Sequence, residues 1–148
     1  MIRLRTPIPA DAEALFPLIY QTGVCDTLQW DGPASFEEYR QGLERRAELA
    51  AQGEQHFFII VLEETGQPVG SADLCPYEDG YRASLGLWIG QPYQGRGCGT
   101  RTIALLLEHG FAIPEIEKIE AFVFSGNEAS RKAFENNGFS LEGAIRMG

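Results

Sequence analysis

The chain has 148 residues, 44% of them apolar and 22% charged, with a formal net charge of −9 at pH 7. This length suits a single domain over residues 1–148 whose core needs neither disulfides nor metal. The acidic balance disfavours nucleic acid and anionic membranes as partners and welcomes a cationic one, while the absence of an ~18-residue apolar run or a signal-peptide core predicts a cytoplasmic protein.

Ile2-Arg3-Leu4-Arg5 alternates apolar with charged, as a half-buried strand does, and Thr6-Pro7 ends it. A helix follows, with Pro9 suited to its first position and Asp11 and Glu13 to its first turn. Leu15, Phe16, Leu18 and Ile19 form its apolar face, and Pro17 is expected to kink it. Residues 22–33 turn to Gly, Asp and Thr around Trp30, the composition of a covering loop. Trp30 serves there either as a packing residue or as an aromatic wall for a substrate.

Ser35-Phe36-Glu37-Glu38 is a capping box, and Phe36, Tyr39, Leu43, Ala47 and Ala50 recur at helical spacing until Gly53. His56 to Leu62 and Pro68 to Leu74 read as an antiparallel hairpin around Glu63-Glu64-Thr65-Gly66-Gln67. After a second turn at Glu78-Asp79-Gly80 comes the strand Ala83 to Gly90. A helix carrying Ile103, Leu106, Leu107 and Phe111 follows, and Pro114 stops it. Lys118 to Phe124 then returns as a strand parallel to the preceding one, and Glu128 to Asn136 is a short helix closed by Asn137-Gly138. Phe139 to Ile145 begins another strand. The class is α+β, with a mostly antiparallel sheet that turns mixed at the helical crossover.

Cys25, Cys75 and Cys98 are an odd, scattered set with no Cys-x-x-Cys spacing, and His56 and His109 are the only histidines. The pattern supports neither a disulfide framework nor a metal site. His56 reads as capping the entry to a strand, and His109 as a late-helix position where a cation suits the dipole.

The segment that concentrates chemistry is Gln94-Gly95-Arg96-Gly97-Cys98-Gly99-Thr100, between a strand end and a helix start. Alternating glycines strip side chains from the turn and permit positive φ. Its amides and the positive end of the helix dipole can then converge on a phosphate or pyrophosphate. Glycines spaced two and two fit neither Gly-x-x-x-x-Gly-Lys-Ser/Thr nor Gly-x-Gly-x-x-Gly.

This loop resembles the acyl-CoA pyrophosphate loop of the GNAT acetyltransferase superfamily, Gln/Arg-x-x-Gly-x-Gly/Ala. Together with Gly86-Leu87-Trp88-Ile89, Asn127-Glu128-Ala129-Ser130 and Asn137-Gly138-Phe139, the chain is similar to the branch of ribosomal-protein N-terminal acetyltransferases. The resemblance implies a layered αβα fold whose two parallel strands splay apart, with the pantetheine arm of CoA in the gap. It also leaves this chain one strand short at its C-terminus. It implies acetyl-CoA as co-substrate, held by Leu87, Trp88, Ile89, Gln94, Gly95, Arg96, Gly97, Cys98, Gly99, Thr100, Asn127 and Ser130.

The backbone N–H near Ile89, where relatives bulge, is the implied donor to the thioester oxygen, and Ser130 the implied acid for the CoA sulfur. Without the resemblance, Asn127 is simply a good helix cap and Ser130 a tolerated first-turn residue. Many relatives place a tyrosine acid where this chain has Phe134, which has no proton to give. Their basic glutamates correspond to Ser84 and Phe122, so Asp73, Glu78, Asp79 and Glu120 remain as general-base candidates beside a water chain. The acceptor is an amine: a protein N-terminus, a polyamine or an aminoglycoside. A non-catalytic acyl-CoA-binding module is the competing expectation, and pairing through an open sheet edge would make a homodimer.

Overall fold

The computed structural model describes residues 2–20, 34–52, 56–78, 80–94, 97–121 and 128–138. Its elements follow one another as β1 (Ile2–Arg5), α1 (Asp11–Ile19), α2 (Phe36–Ala51), β2 (His56–Leu62), β3 (Pro68–Pro76), β4 (Arg82–Ile89), a 3₁₀ turn (Gln91–Tyr93), α3 (Cys98–Phe111), β5 (Lys118–Ala121) and α4 (Glu128–Glu135). The sheet order is β1-β2-β3-β4-β5, antiparallel until β5 joins β4 in parallel after the α3 crossover. Trp30, Gly95, Arg96, Phe122, Asn127 and the expected strand from Phe139 lie outside the described residues.

Local chemistry explains the element boundaries. Ser35 stands in extended conformation and its hydroxyl accepts the Glu38 N–H at 3.2 Å, the capping box expected from the sequence. α1 runs on through Pro17 to Ile19. Its first residue, Asp11, is more than a dipole partner. Buried at 3% exposure, it accepts both Arg5 guanidinium nitrogens at 2.9 and 2.6 Å and the Ile8 N–H at 2.9 Å, clamping β1 to the helix start. The α2 stripe is narrower than its spacing suggests, for Tyr39 and Leu43 are buried whereas Phe36 is exposed.

Two apolar layers sandwich the sheet. On one face Ala72, Leu74, Ala83, Leu85 and Ile89 pack with Ile103 and Leu106 of α3 and Phe134 of α4. On the other, Phe57, Ile59, Val61 and Trp88 pack with Ala12, Leu15 and Ile19 of α1 and Tyr39 and Leu43 of α2. Strand alternation follows directly: odd residues of β4 face α3, and even ones face α1 and α2. Phe134 fills core, as a side chain without a titratable proton should.

Candidate active site

The ladder between β3 and β4 runs in even register from Gly70↔Ile89 to Pro76↔Ala83. The sheet's register shift falls instead between Ile60 and Val61 of β2, so no bulge interrupts β4 at Ile89. Register alone nevertheless aims the backbone. Gly90 N–H donates to Val69 O at 2.8 Å and Tyr77 N–H to Arg82 O at 2.9 Å, so even-numbered residues of β4 bond toward β3. In an antiparallel ladder the alternate residues then turn their N–H and C=O to the other side, which here is the β5 side. Leu87 and Ile89 are two of these.

Among the described residues, β5 pairs with β4 from Arg82↔Lys118 to Leu85↔Ala121. Among the described residues, the β5-side groups of Leu87 and Ile89 therefore meet no strand. The Gln94 side-chain amide donates to Ile89 O at 2.8 Å and caps one of them. The Ile89 N–H and both Leu87 groups point to the same side of β4. Trp88 differs from its neighbours. Its backbone bonds toward β3 and its ring is buried against α1 and α2.

Immediately beyond stands the N-terminus of α3. Its N-cap, Gly97, has φ +81°, a left-handed conformation that glycine adopts without cost and other residues do not. An added Cβ at Gly97 or Gly99 would meet no heavy atom within 4 Å, so both glycines border open space in which a ligand can approach the backbone. The Cys98 side chain turns into the core at 8% exposure, which leaves its backbone as the part a ligand could reach. The open glycines at the α3 N-terminus fit a pyrophosphate. Asn137 ties α4 back to this helix, donating to Thr100 O at 3.1 Å. Ser130 is placed by its backbone alone, within the α4 that this contact anchors.

The opposite face of the sheet carries the acids. Asp73, Ser84, Gly86 and Glu120 share the α1/α2 side by register. Glu120 is engaged: Arg82 and Lys118 lie 3.8 and 3.5 Å from its carboxylate, and the Tyr77 hydroxyl donates to it at 3.3 Å. Asp73 accepts a weak hydrogen bond from the Cys75 thiol, with Sγ 3.4 Å from Oδ2. Loss of water raises the Asp73 carboxyl above its ordinary value, against the thiol's bond and the Arg46 charge on α2. Cys75 is exposed as a residue, yet its sulfur sheds water against Asp73. That desolvation and the neighbouring carboxylate push the thiol up to about 11. Cys75 is thus no thiolate near neutrality, and Cys98 is sealed in the core.

One contact that the sequence does not announce joins the two histidines. His56 Nδ1 lies 2.8 Å from His109 Nε2 across 53 residues of chain, and Phe58 stacks edge-on against the His109 ring. Burial and the facing His56 lower the His109 pKa, so the expected late-helix cation is corrected to a ring held toward neutrality.

The GNAT acetyltransferase domain model matches residues 2–140 of this chain. The chain belongs to the GNAT acetyltransferase family. It is 30% identical over 95 residues to the spermidine N(1)-acetyltransferase of Escherichia coli (strain K12), covering 64% of this chain and 50% of that protein. It spans about half the length of the curated relatives it matches. The structure of RimL, a ribosomal L7/L12 alpha-N-protein acetyltransferase, superposes with a TM-score of 0.80 at 23% identity, over 96% of this chain and 78% of that one. The microcin C7 self-immunity acetyltransferase MccE, solved with acetyl-CoA and AMP, gives 0.80 at 22% identity, over 96% and 80%. At these identities the two structures speak for the fold: a mixed, mostly antiparallel sheet flanked by helices, as the sequence predicts, with five strands among the described residues.

Proposed function

We propose that this domain binds acetyl-CoA and transfers its acetyl group directly to a primary amine. The observation that carries the proposal is the left-handed Gly97 mouth of α3, which borders open space just beyond the end of β4, where Leu87 and Ile89 present backbone groups away from β3. Acetyl-CoA supplies an activated thioester, and the chain supplies its positioning. The amides from Gly95 to Thr100 receive the pyrophosphate, with Arg96 beside them. The β4 stretch from Leu87 to Ile89, Trp88 included, lines the bound acetyl-CoA. The Ile89 N–H, whose own carbonyl is tied to Gln94, is the donor to the thioester oxygen.

Asn127 contacts the arm, and Ser130 gives the sulfur its proton. Trp30 walls the acceptor. Direct attack is favoured because, of the cysteines among the described residues, Cys75 is held as a thiol and Cys98 is buried, which leaves neither suited to carry the acetyl group covalently. A protein N-terminal amine, with a pKa near 8, is neutral to an appreciable degree at pH 7.5 and is the acceptor class needing least assistance. Polyamines and aminoglycosides are the next classes to test.

The experiment is thiol release from acetyl-CoA with N-terminal peptides, polyamines and aminoglycosides offered separately. Release above the acceptor-free rate supports transfer and names the class. Tight acetyl-CoA binding without release by any acceptor would favour a non-catalytic acyl-CoA-binding module, to which the protonless Phe134 points.

A further inference from the structure

We propose that Asn137 is a positioning residue for the transfer: its side-chain amide fixes where α4 stands against α3, and so where Ser130 stands relative to a cofactor seated at the Gly97 mouth. The inference rests on the transferase function proposed above and adds to it a residue that touches neither substrate.

Two kinds of contact hold α4. Phe134, buried, and Ala133, half-buried, pack into the core that Ile103 and Leu106 of α3 line. Apolar packing is non-directional, so it draws α4 onto α3 without fixing how far the helix slides or how it turns about its own axis. Asn137 adds direction. Its Nδ2 donates to Ala133 O at 2.9 Å, in the last turn of α4, and to Thr100 O at 3.1 Å, in the first turn of α3. One planar amide thus carries its two protons to carbonyls of two different helices.

Both ends of this tie are themselves fixed. Asn136 N–H donates to Lys132 O at 2.9 Å, Asn137 N–H to Phe134 O at 3.0 Å and Gly138 N–H to Glu135 O at 3.0 Å, a closing turn from which Gly138, at φ +87°, leads the chain away. On the other side, Arg101 N–H donates to Gly97 O at 3.1 Å, so the first turn of α3 has a bond of its own. The helix start that receives the pyrophosphate therefore keeps its shape when the Asn137 amide is removed. What is released is α4.

The consequence reaches Ser130 because α4 is short and moves as one piece. Ser130 precedes Phe134 by four residues and shares the helix face that Phe134 turns to the core. From Ser130 to Asn137 the chain rises only ~10 Å, and a slide released at one end displaces the other by the same amount. Misplacing a reacting group by ~1 Å costs on the order of 100-fold in rate. Asn137 meets no reacting atom and acts through the placement of the helix alone.

The test is a double-mutant cycle between Asn137→Ala and Ser130→Ala, run well below the melting transition of every variant, with thiol release and the Kd for acetyl-CoA as readouts. Asn137→Ala is expected to lower kcat at least ~10-fold while the Kd stays within about threefold of the parent; a merely structural residue would lower Tm and leave the kcat of the folded enzyme unchanged. In the Ser130→Ala background the same substitution should change kcat less than about twofold, because no donor remains to misplace. Asn137→Asp keeps the shape but cannot donate when ionised, and should lose at least as much kcat as Asn137→Ala, which separates the hydrogen bonds from the bulk of the side chain. A kcat within about threefold of the parent in both Asn137 variants, a loss confined to Kd, the full loss repeated in Ser130→Ala, or a Ser130→Ala enzyme as fast as the parent overturns the positioning role and leaves the transferase intact. A parent that releases no thiol with any acceptor overturns both.

Discussion

The glycine at the mouth of α3 allows the phosphate-loop assignment to be separated from simple stability. Gly97 and Gly66 share one backbone state, φ +81° and +74°, and an added Cβ meets no heavy atom within 4 Å at either. Alanine at each position therefore costs the left-handed strain alone, about 1 kcal/mol, or roughly a 2–4 °C fall in Tm for a domain of this size. Gly66 sits in the β2–β3 turn, whereas Gly97 caps α3 and accepts the Arg101 N–H at 3.1 Å. A methyl group at Gly97 projects into the space a pyrophosphate needs. Loss of one charge-assisted backbone contact, about 1.5–3 kcal/mol, weakens acetyl-CoA binding roughly 10- to 100-fold. Calorimetric titration of both variants with acetyl-CoA, beside thermal melts, measures the two effects independently. Equal Tm losses with a Kd penalty confined to Gly97→Ala are expected; a Kd in Gly97→Ala within twofold of that in Gly66→Ala refutes the assignment.

Other consequences are structural. A Cβ at Gly70 runs into the carbonyl oxygen of Trp88 and lies 3.1 Å from Ile89 Cα; because backbone cannot swing aside, Gly70→Ala should cost about 3 kcal/mol by chemical denaturation. Thr102 is fully buried and its hydroxyl has no hydrogen-bond partner among the described residues, so Thr102→Val should raise stability by about 1 kcal/mol. His109 has a folded-state pKa below its ordinary 6.5. As pH falls through 6.5 the unfolded chain takes up the proton first, so stability declines from there down to the folded-state pKa and is unaffected above. Melting curves between pH 7.5 and 5 should show that decline, and His109→Asn should flatten it.

Much of this architecture is legible in the sequence because it is written locally. The capping box at Ser35, the run His56 to Leu62 and the two-residue alternation of β4 each depend on neighbours a few positions away, and each has its expected place in the fold. The parallel pairing of β5 follows from chirality and chain length at the α3 crossover. What escapes is everything fixed by register between distant segments. Nothing near His56 announces that His109 will stand 2.8 Å away, nor does the spacing of Asp11 reveal that it will receive Arg5 rather than solvent. The β-bulge expected beside Ile89 is absent, and the register shift sits one hairpin earlier, at Ile60 and Val61. A bulge is one strand's mismatch with its neighbour, and a single strand's sequence holds only half of that information.

The same distinction accounts for the ambiguity of the base. Read along the chain, Asp73, Glu78, Asp79 and Glu120 are equivalent, since each is a carboxylate on or beside a strand. Read across the sheet they part, because a carboxylate's chemistry is set by what stands opposite it. Opposite Glu120 is Ser84, with Arg82 and Lys118 close by as ion-pair partners. Opposite Asp73 is Gly86, which offers neither side chain nor charge and leaves the carboxylate short of water beside a thiol. A glycine in the middle of a buried strand weakens pairing, so its presence there is accounted for by what it makes room for. On β4 the odd residues fill the α3 core and turn their backbone groups away from β3, while Gly86 leaves the space that the Asp73 carboxylate occupies.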